Sequence, residues 1–453
     1  MSSLFYSVLQ SQYNTALGSC QSPFSRHRVD STTFARAWKR TELFFSLLPF
    51  RPDRGIVCPA GVTPFAGCQW IGTGMPRVPV ERSPCARMVG RSMERRRTVD
   101  FEQGKIKVYF GPRAYGAPDD LEQVIVKFID GAEESLEIAV QELDSPNIAA
   151  AIDRASRRKR TSRPSYRIAV NVIVEADYLR ESTPVEAEDL GRYEPNRVLM
   201  SLLLRGAVHY KLDFNTDTFH QKFIVRDYNR PNEAVLTGST NFTETGTGTN
   251  LNAVVIFHSA EMAKFYHDEF RQLKEGVFGR LSPRDHKAPE VRIGDTLVYP
   301  LFAPDHNPEL IIVNGILKTR QSAHFAIFTF AGSTTIDDAF LRIRELGVPV
   351  KGVLDRVQSS HSFSPHSALI KAGAVLRRHK VPTAPGFSQP GKLHHKSMVL
   401  ERSVTITGSF NYTDQANRFN DENVFFIHNP EIAEYFIAEI ERIYADLAED
   451  FPA

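Results

Sequence analysis

Beyond residue 85 this 453-residue chain contains no cysteine, and beyond residue 70 no tryptophan. Cys20, Cys58, Cys68 and Cys85 all lie in the first hundred residues, so no disulfide braces the rest. They lack paired C-x-x-C spacing, which argues against a structural zinc site. A cysteine-free body fits a reducing compartment, and a cytoplasmic location is expected. No run approaches the roughly 18–20 apolar residues of a membrane span, so no integral span is expected. The N-terminus also lacks a compact apolar core followed by a small-residue cleavage site, so no secretory signal is read.

Net charge is scarce too, at +2, but that value hides a division. Residues 1–100 hold 14 Lys+Arg against 6 Asp+Glu, and the remainder 41 against 47. The main body is mildly acidic, so attraction to a polyanion must come from local patches. The first 29 residues contain no Asp or Glu and are rich in serine. That composition resembles an organelle transit peptide, but a disordered leader outside the core is the preferred reading of 1–100.

From residue 105 a regular plan appears. Ile106–Phe110 reads as a strand ending in Gly111–Pro112, Leu121–Ile129 as a helix, and Ser135–Val140 as a buried strand. Asp144–Ser145–Pro146 opens a helix to about Arg158. Strand Tyr166–Val174, a helix near Arg197–Leu204 and strand Ala207–Leu212 follow. The second half repeats the order: strand Leu297–Phe302, helix Pro308–Lys318, strand Ala323–Phe330, helix Thr335–Leu346 and strand Val350–Leu354. SALIKAGAVL, from Ser367, then echoes LLLRGAVHY, from Leu202. Strands alternating with helices imply a largely parallel sheet covered by helices. The repeat implies two α/β lobes, 101–282 and 283–453, related by a pseudo-twofold axis.

Each half ends on the same motif pair. FHQKFIVRD gives His220-x-Lys222 and Asp227, followed by Gly238-Ser239-Thr240-Asn241. LHHKSMVLE gives His394-x-Lys396 and Glu401, followed by Gly408-Ser409-Phe410-Asn411. On a strand, residues i and i+2 share a face, so each His and Lys project together while His395 points away. A single H-x-K carries no weight; two copies, each followed by G-S-x-N inside a repeated βα plan, are specific.

This doubled pattern, over roughly residues 105–448, resembles the phospholipase D superfamily. The resemblance implies a phosphodiester hydrolase with two α-β-α lobes around one site, so a monomer suffices. Phosphodiester hydrolysis needs a nucleophile, a proton donor for the leaving alkoxide and stabilisation of the phosphoryl oxygens. The resemblance makes His220 the nucleophile that forms a phosphohistidine, and His394 the acid and base. Lys222, Lys396, Asn241 and Asn411 would clamp the phosphoryl oxygens, with Ser239 and Ser409 supporting that cradle. Asp227 and Glu401 would be mostly structural, although Glu401 departs from the usual Asp. No metal or other cofactor is implied.

Glu422, in FNDENVFF, stands where the family has the acid that orients the catalytic histidine; the matching residue of the first half is Asn252. Glu422 is therefore expected to back His394, leaving His220 with a neutral amide, an asymmetry that leaves the histidine roles interchangeable. Glu175, Asp177 and Asp355 read as solvated loop acids, and the basic run from Arg157 to Arg163 as a solvated helix end. Phe387, Phe410 and Phe419 are expected in the core rather than at an acyl-facing mouth. Among substrates, nucleic acid is placed narrowly ahead of phospholipid head groups, and a silent phosphate-binding or scaffold module is the remaining alternative.

Overall fold

The computed structural model describes residues 99–179, 194–204, 206–285 and 287–452, all within one compact unit. The readings made for the leader lie outside the described residues, except that Val99 and Asp100 open the first strand.

The first half runs β1 (Val99–Phe101), β2 (Ile106–Gly111), α1 (Leu121–Asp130), β3 (Ser135–Val140), α2 (Pro146–Arg157), β4 (Ala169–Glu175) and α3 (Glu194–Leu204). It continues through β5 (Val208–Asp213), β6 (Lys222–Arg226), β7 (Ala234–Gly238), α4 (Glu244–Gly248), β8 (Asn252–Phe257) and α5 (Ala260–Glu275). The second half retraces this path with β9 (Val291–Ile293), β10 (Thr296–Ala303), α6 (Pro308–Lys318), β11 (Ala323–Ile327), α7 (Thr335–Glu345), β12 (Val350–Leu354) and α8 (His366–Lys371). There follow β13 (Val375–His379), β14 (Lys396–Leu400), β15 (Val404–Gly408), α9 (Asp414–Arg418), β16 (Glu422–His428), α10 (Pro430–Asp446) and β17 (Ala448–Asp450).

Local chemistry explains the boundaries. Ser145 caps α2 by accepting from the Ile148 N–H, and Pro146 occupies the first turn, where its missing N–H costs nothing. Leu121, Ile125, Phe128 and Ile129 form the buried stripe of α1, at helical spacing.

Each half builds its own sheet, in the order β1-β2-β8-β7-β6-β3-β4-β5 and β17-β13-β12-β11-β14-β15-β16-β10-β9. The expectation of a largely parallel sheet is corrected here. Only β3/β4, β4/β5, β11/β12 and β12/β13 pair in parallel. The strands after β5 and β13 return as antiparallel neighbours, joined by a short turn or by a helix of five residues. The turns between β6 and β7 and between β14 and β15 are too short for a parallel crossover.

Three cores result. One lies between the first sheet and α1–α3, a second between the other sheet and α6–α8, and the third is shared by both lobes. Strand alternation divides β6 between two of them: Ile224 faces the first-lobe core, Phe223 and Val225 the shared one. In the shared core Tyr266 of α5 meets Phe302 of the second lobe at 5.2 Å, and Phe436 of α10 meets Phe110 of the first at 4.9 Å. Each lobe's long helix thus seats an aromatic ring of the other, in edge-to-face geometry that adds to the burial of both rings. This interlock fixes the geometry of any site at the seam. Among the described residues no helix is long and apolar enough to cross a membrane.

Candidate active site

Both motifs sit at this seam. Lys222 and Lys396 open β6 and β14, and each ammonium donates to the carbonyl of its own motif histidine, at 2.7 Å for His220 and 2.9 Å for His394. His395 points away, as strand alternation requires, and is buried beside Glu439 and Phe110. Gly238 and Gly408, each at φ 149°, explain the glycine of G-S-x-N: a Cβ there would overlap the carbonyl oxygen of Ala253 or Asn423 on the neighbouring strand.

The orienting partners cross between lobes. The His220 N–H donates to the carbonyl of Asp421 at 2.9 Å, and the His394 N–H to that of Leu251 at 3.0 Å. Each backbone bond delivers the next residue of the opposite lobe to the imidazole. Glu422 Oε2 lies 2.6 Å from His220 Nδ1, and Asn252 Oδ1 lies 3.0 Å from His394 Nδ1. The expected pairing of Glu422 with His394 is therefore wrong. Glu422 serves His220 and Asn252 serves His394, because the partner strand belongs to the other half of the pseudo-twofold.

The serines hold these partners. Ser239 donates to Asn252 Oδ1 at 2.7 Å and Ser409 to Glu422 Oε2 at 2.6 Å, and both are fully buried. They support the histidines through their partners. Asn241 and Asn411 follow directly, half-buried, and neither amide oxygen meets a partner among the described residues. Asp227 accepts the N–H groups of Glu133, Glu134 and Ser135, and Glu401 those of Arg320 and Gln321. Both acids pin the loop before a central strand.

Two buried acids read as solvated loop acids prove to be positioning groups. Glu175 accepts the Phe219 N–H at 2.7 Å and Asp355 the Leu393 N–H at 3.1 Å, each holding the residue just before a motif histidine. Their matched places at the C-terminal ends of β4 and β12 were the signal available in the sequence. Gln141 also went unnoticed. It accepts from Lys222 Nζ at 3.1 Å, whereas the matching residue of the second half, Phe328, lays its ring 4.8 Å from Lys396 Nζ and 4.9 Å from the His394 ring. Phe410 is buried in the second-lobe core, and Phe419 lies under the Arg280 guanidinium.

Burial dominates the electrostatics. It pushes the His220 imidazole down to about 4, against the pull of Glu422 and with help from Lys222 and Lys396. Lys222 falls to about 7 through burial, opposed by Glu422 and Glu142. His394 and Lys396 are driven well below their ordinary values, first by burial and then by the neighbouring cations. Both shifts favour the neutral imidazole. With Nδ1–H donated to Glu422 or Asn252, each Nε2 carries a free lone pair.

A two-lobed α/β protein with one histidine–lysine pair from each lobe at a shared seam is the class that fold and site define. Comparison with known proteins agrees. The family described as "Cardiolipin synthase, PLD-like domain" matches residues 125–274 and 312–444. The chain belongs to this phospholipase D-like family. It is 32% identical over 133 residues to the human "Mitochondrial cardiolipin hydrolase", covering 29% of this chain and 49% of that protein. It is 30% identical over 136 residues to the Rickettsia conorii "Phospholipase D", covering 30% and 64%. The chain thus spans about half the length of the first and under two thirds of the second. A phosphatidylserine synthase from Haemophilus influenzae shares the fold, with a TM-score of 0.52 at 14% identity over 76% of this chain and 87% of that one.

Proposed function

We propose that this protein is a phosphodiester hydrolase acting on phospholipids through a phosphohistidine on His220. The observation that carries the reading is the 2.6 Å contact between His220 Nδ1 and Glu422. A carboxylate there fixes the tautomer that leaves Nε2 free, and it stabilises the positive charge the ring acquires when Nε2 bonds phosphorus. Asn252 offers His394 no such charge. An imidazolium at His394 therefore holds its proton loosely, which suits a donor to the leaving alkoxide.

In the first step Nε2 of His220 attacks phosphorus, the P–O bond to the leaving alkoxide breaks, and His394 supplies that oxygen with a proton. In the second, His394 takes a proton from water, the hydroxide displaces phosphorus from His220, and the phosphomonoester departs. Lys222 and Lys396, with the amides of Asn241 and Asn411, neutralise the phosphoryl oxygens. A bound phosphodiester would itself raise the depressed histidine and lysine values, because its negative charge favours their cationic forms.

The substrate reading moves from nucleic acid to phospholipid. Relatives named cardiolipin hydrolase and phospholipase D favour it. Part of the basic run from Arg157 to Arg163 is engaged within the protein. Arg157 pairs with Asp153, Arg158 donates to the carbonyls of Asp130 and Ala132, and Arg160 donates to that of Arg167. The test is a side-by-side assay of phospholipid vesicles, DNA and RNA, each with and without EDTA. Release of phosphatidate that persists in EDTA and disappears in the double variant His220→Ala/His394→Ala is expected. Cleavage of nucleic acid alone, survival in the double variant, or loss in EDTA restored only by metal would contradict the proposal.

A further inference from the structure

The pseudo-twofold relates the two long helices, so each residue of α5 has a counterpart in α10. Ser259 and Asn429 cap them, and Glu269 and Glu439 fall at the same place after the caps. Both glutamates are buried, at 6% exposed. Glu439 has the partner such burial demands. Arg442, one turn on, donates Nε and Nη2 to its two oxygens at 2.8 and 2.7 Å. The matching residue of α5 is Gln272, which is neutral and turns to Asp305 at 3.3 Å. Glu269 meets no hydrogen-bond donor and no cation among the described residues. The charges that reach it are those of Asp305 and Asp421, and together with burial they hold its carboxyl well above the usual range. One half of the repeat carries its own cation here; the other does not.

Glu269 lines a cavity of about 550 Å³ where α5 meets the segment after β10. Acids stand at two depths in it. Glu269 and Asp305 are buried, and Oδ1 of Asp305 has no partner among the described residues. Glu275 and Asp285 are exposed at the rim. Arg271 also lines the cavity, but it faces Asp268 at 3.7 Å. Much of the remaining wall is apolar, with Phe265, stacked on Phe302 at 5.0 Å, beside Val277 and Leu281. A buried carboxylate without a partner is costly unless a charge is brought to it. Among the described residues no three His, Cys, Asp or Glu side chains converge as metal ligands, and the space far exceeds what a bare ion fills. Carboxylates beside aromatic and aliphatic surface suit an alkylammonium.

We infer that this cavity is a binding site for a linear aliphatic polyamine. One ammonium stands at Glu269 and Asp305, in the role that the Arg442 guanidinium plays for Glu439. A second reaches Glu275 and Asp285 at the rim, and the methylenes between them lie against Phe265 and Leu281. The bound charge favours the ionised carboxylates and so reverses the effect of burial. The site is separate from the histidine–lysine seam and does not depend on which phosphodiester is cleaved there. It is nevertheless coupled to that seam by charge. Asp421, whose carboxylate is felt at Glu269, precedes Glu422, and its carbonyl accepts from the His220 N–H.

The test is calorimetric titration of the full chain with spermidine, butylamine, magnesium chloride and a tetralysine peptide. Spermidine is expected to bind saturably, and roughly tenfold or more tightly than butylamine, which can answer only one pair of acids. Gln272→Arg, which copies Arg442, should fill the place and abolish spermidine binding, with thermal unfolding no lower than that of the parent. Glu269→Gln should weaken binding roughly tenfold or more, as loss of a charge-assisted pair does. Spermidine binding that is unchanged in both variants, or equal affinity for butylamine, would overturn the site. Tighter binding of magnesium with the same Glu269 dependence would give the cavity to a metal ion. Tighter binding of tetralysine on that dependence would give it to a protein partner, and either result would overturn the polyamine assignment.

Discussion

Glu422 and His220 stand 202 residues apart in the chain, in different lobes, yet the carboxylate lies 2.6 Å from the imidazole nitrogen. Neither lobe completes its own histidine. The carboxylate works across the seam, and so does the amide of Asn252 on His394.

Removing the charge without changing the shape tests that relationship. Glu422→Gln should lower kcat by about 10²–10⁴-fold, in the range seen when a carboxylate that orients a catalytic histidine becomes an amide. Asn252→Ala should cost less, about tenfold, because it removes orientation but no charge. Steady-state kinetics on a single phospholipid distinguishes the two. Equal losses would argue that the partners do the same work.

The pH dependence of kcat/KM reports the free protein. Lys222, pushed down to about 7, loses its charge as pH rises through that value, and anion binding weakens with it. His220, at about 4, is already neutral well below that, so the acid side is undemanding. The alkaline fall should therefore have two parts: one below neutrality, as the acid His394, depressed by burial, loses its proton, and a second, the Lys222 limb, near 7. Glu142→Gln removes a carboxylate that raises Lys222, and it should move the limb to lower pH by about half a unit. Movement to higher pH would contradict the assignment.

The two motif acids should separate stability from chemistry. Asp227 is buried and accepts three backbone N–H groups, so Asp227→Ala leaves buried donors unmet and should cost about 2–4 kcal/mol. Glu401 is half-buried with two such bonds, and Glu401→Ala should cost about 1 kcal/mol. Urea unfolding measures both. Activity per folded molecule should stay close to that of the parent in each case.

The sequence carried the repeat, the order of its elements and the two histidine–lysine pairs, because those depend on local periodicity and on adjacent residues. Helix Pro308–Lys318 and strands Ser135–Val140 and Val350–Leu354 fall where apolar spacing and flanking punctuation place them. The partners of the histidines were not legible in the same way. Counting from G-S-x-N places Glu422 and Asn252 correctly in each half but cannot show that the delivering strand meets the other half's motif. The contacts of the serines were hidden for the same reason, since Ser239 and Ser409 turn toward those partners. Strand direction failed where β6/β7 and β14/β15 are joined by turns too short for a parallel crossover, whatever alternation of helix and strand precedes them.

The central claim is that Glu422 makes His220 the nucleophile. Its most direct test is turnover of a phospholipid labelled at phosphorus, quenched in alkaline denaturant because the histidine P–N bond is labile in acid, followed by mapping of the labelled peptide. In the His394→Ala protein, given a phosphatidyl nitrophenol whose leaving group needs no proton, the intermediate should form but be released slowly, and label is expected on the peptide containing His220. Label on the His394 peptide in the His220→Ala protein, with none on His220 in the converse variant, would contradict the account.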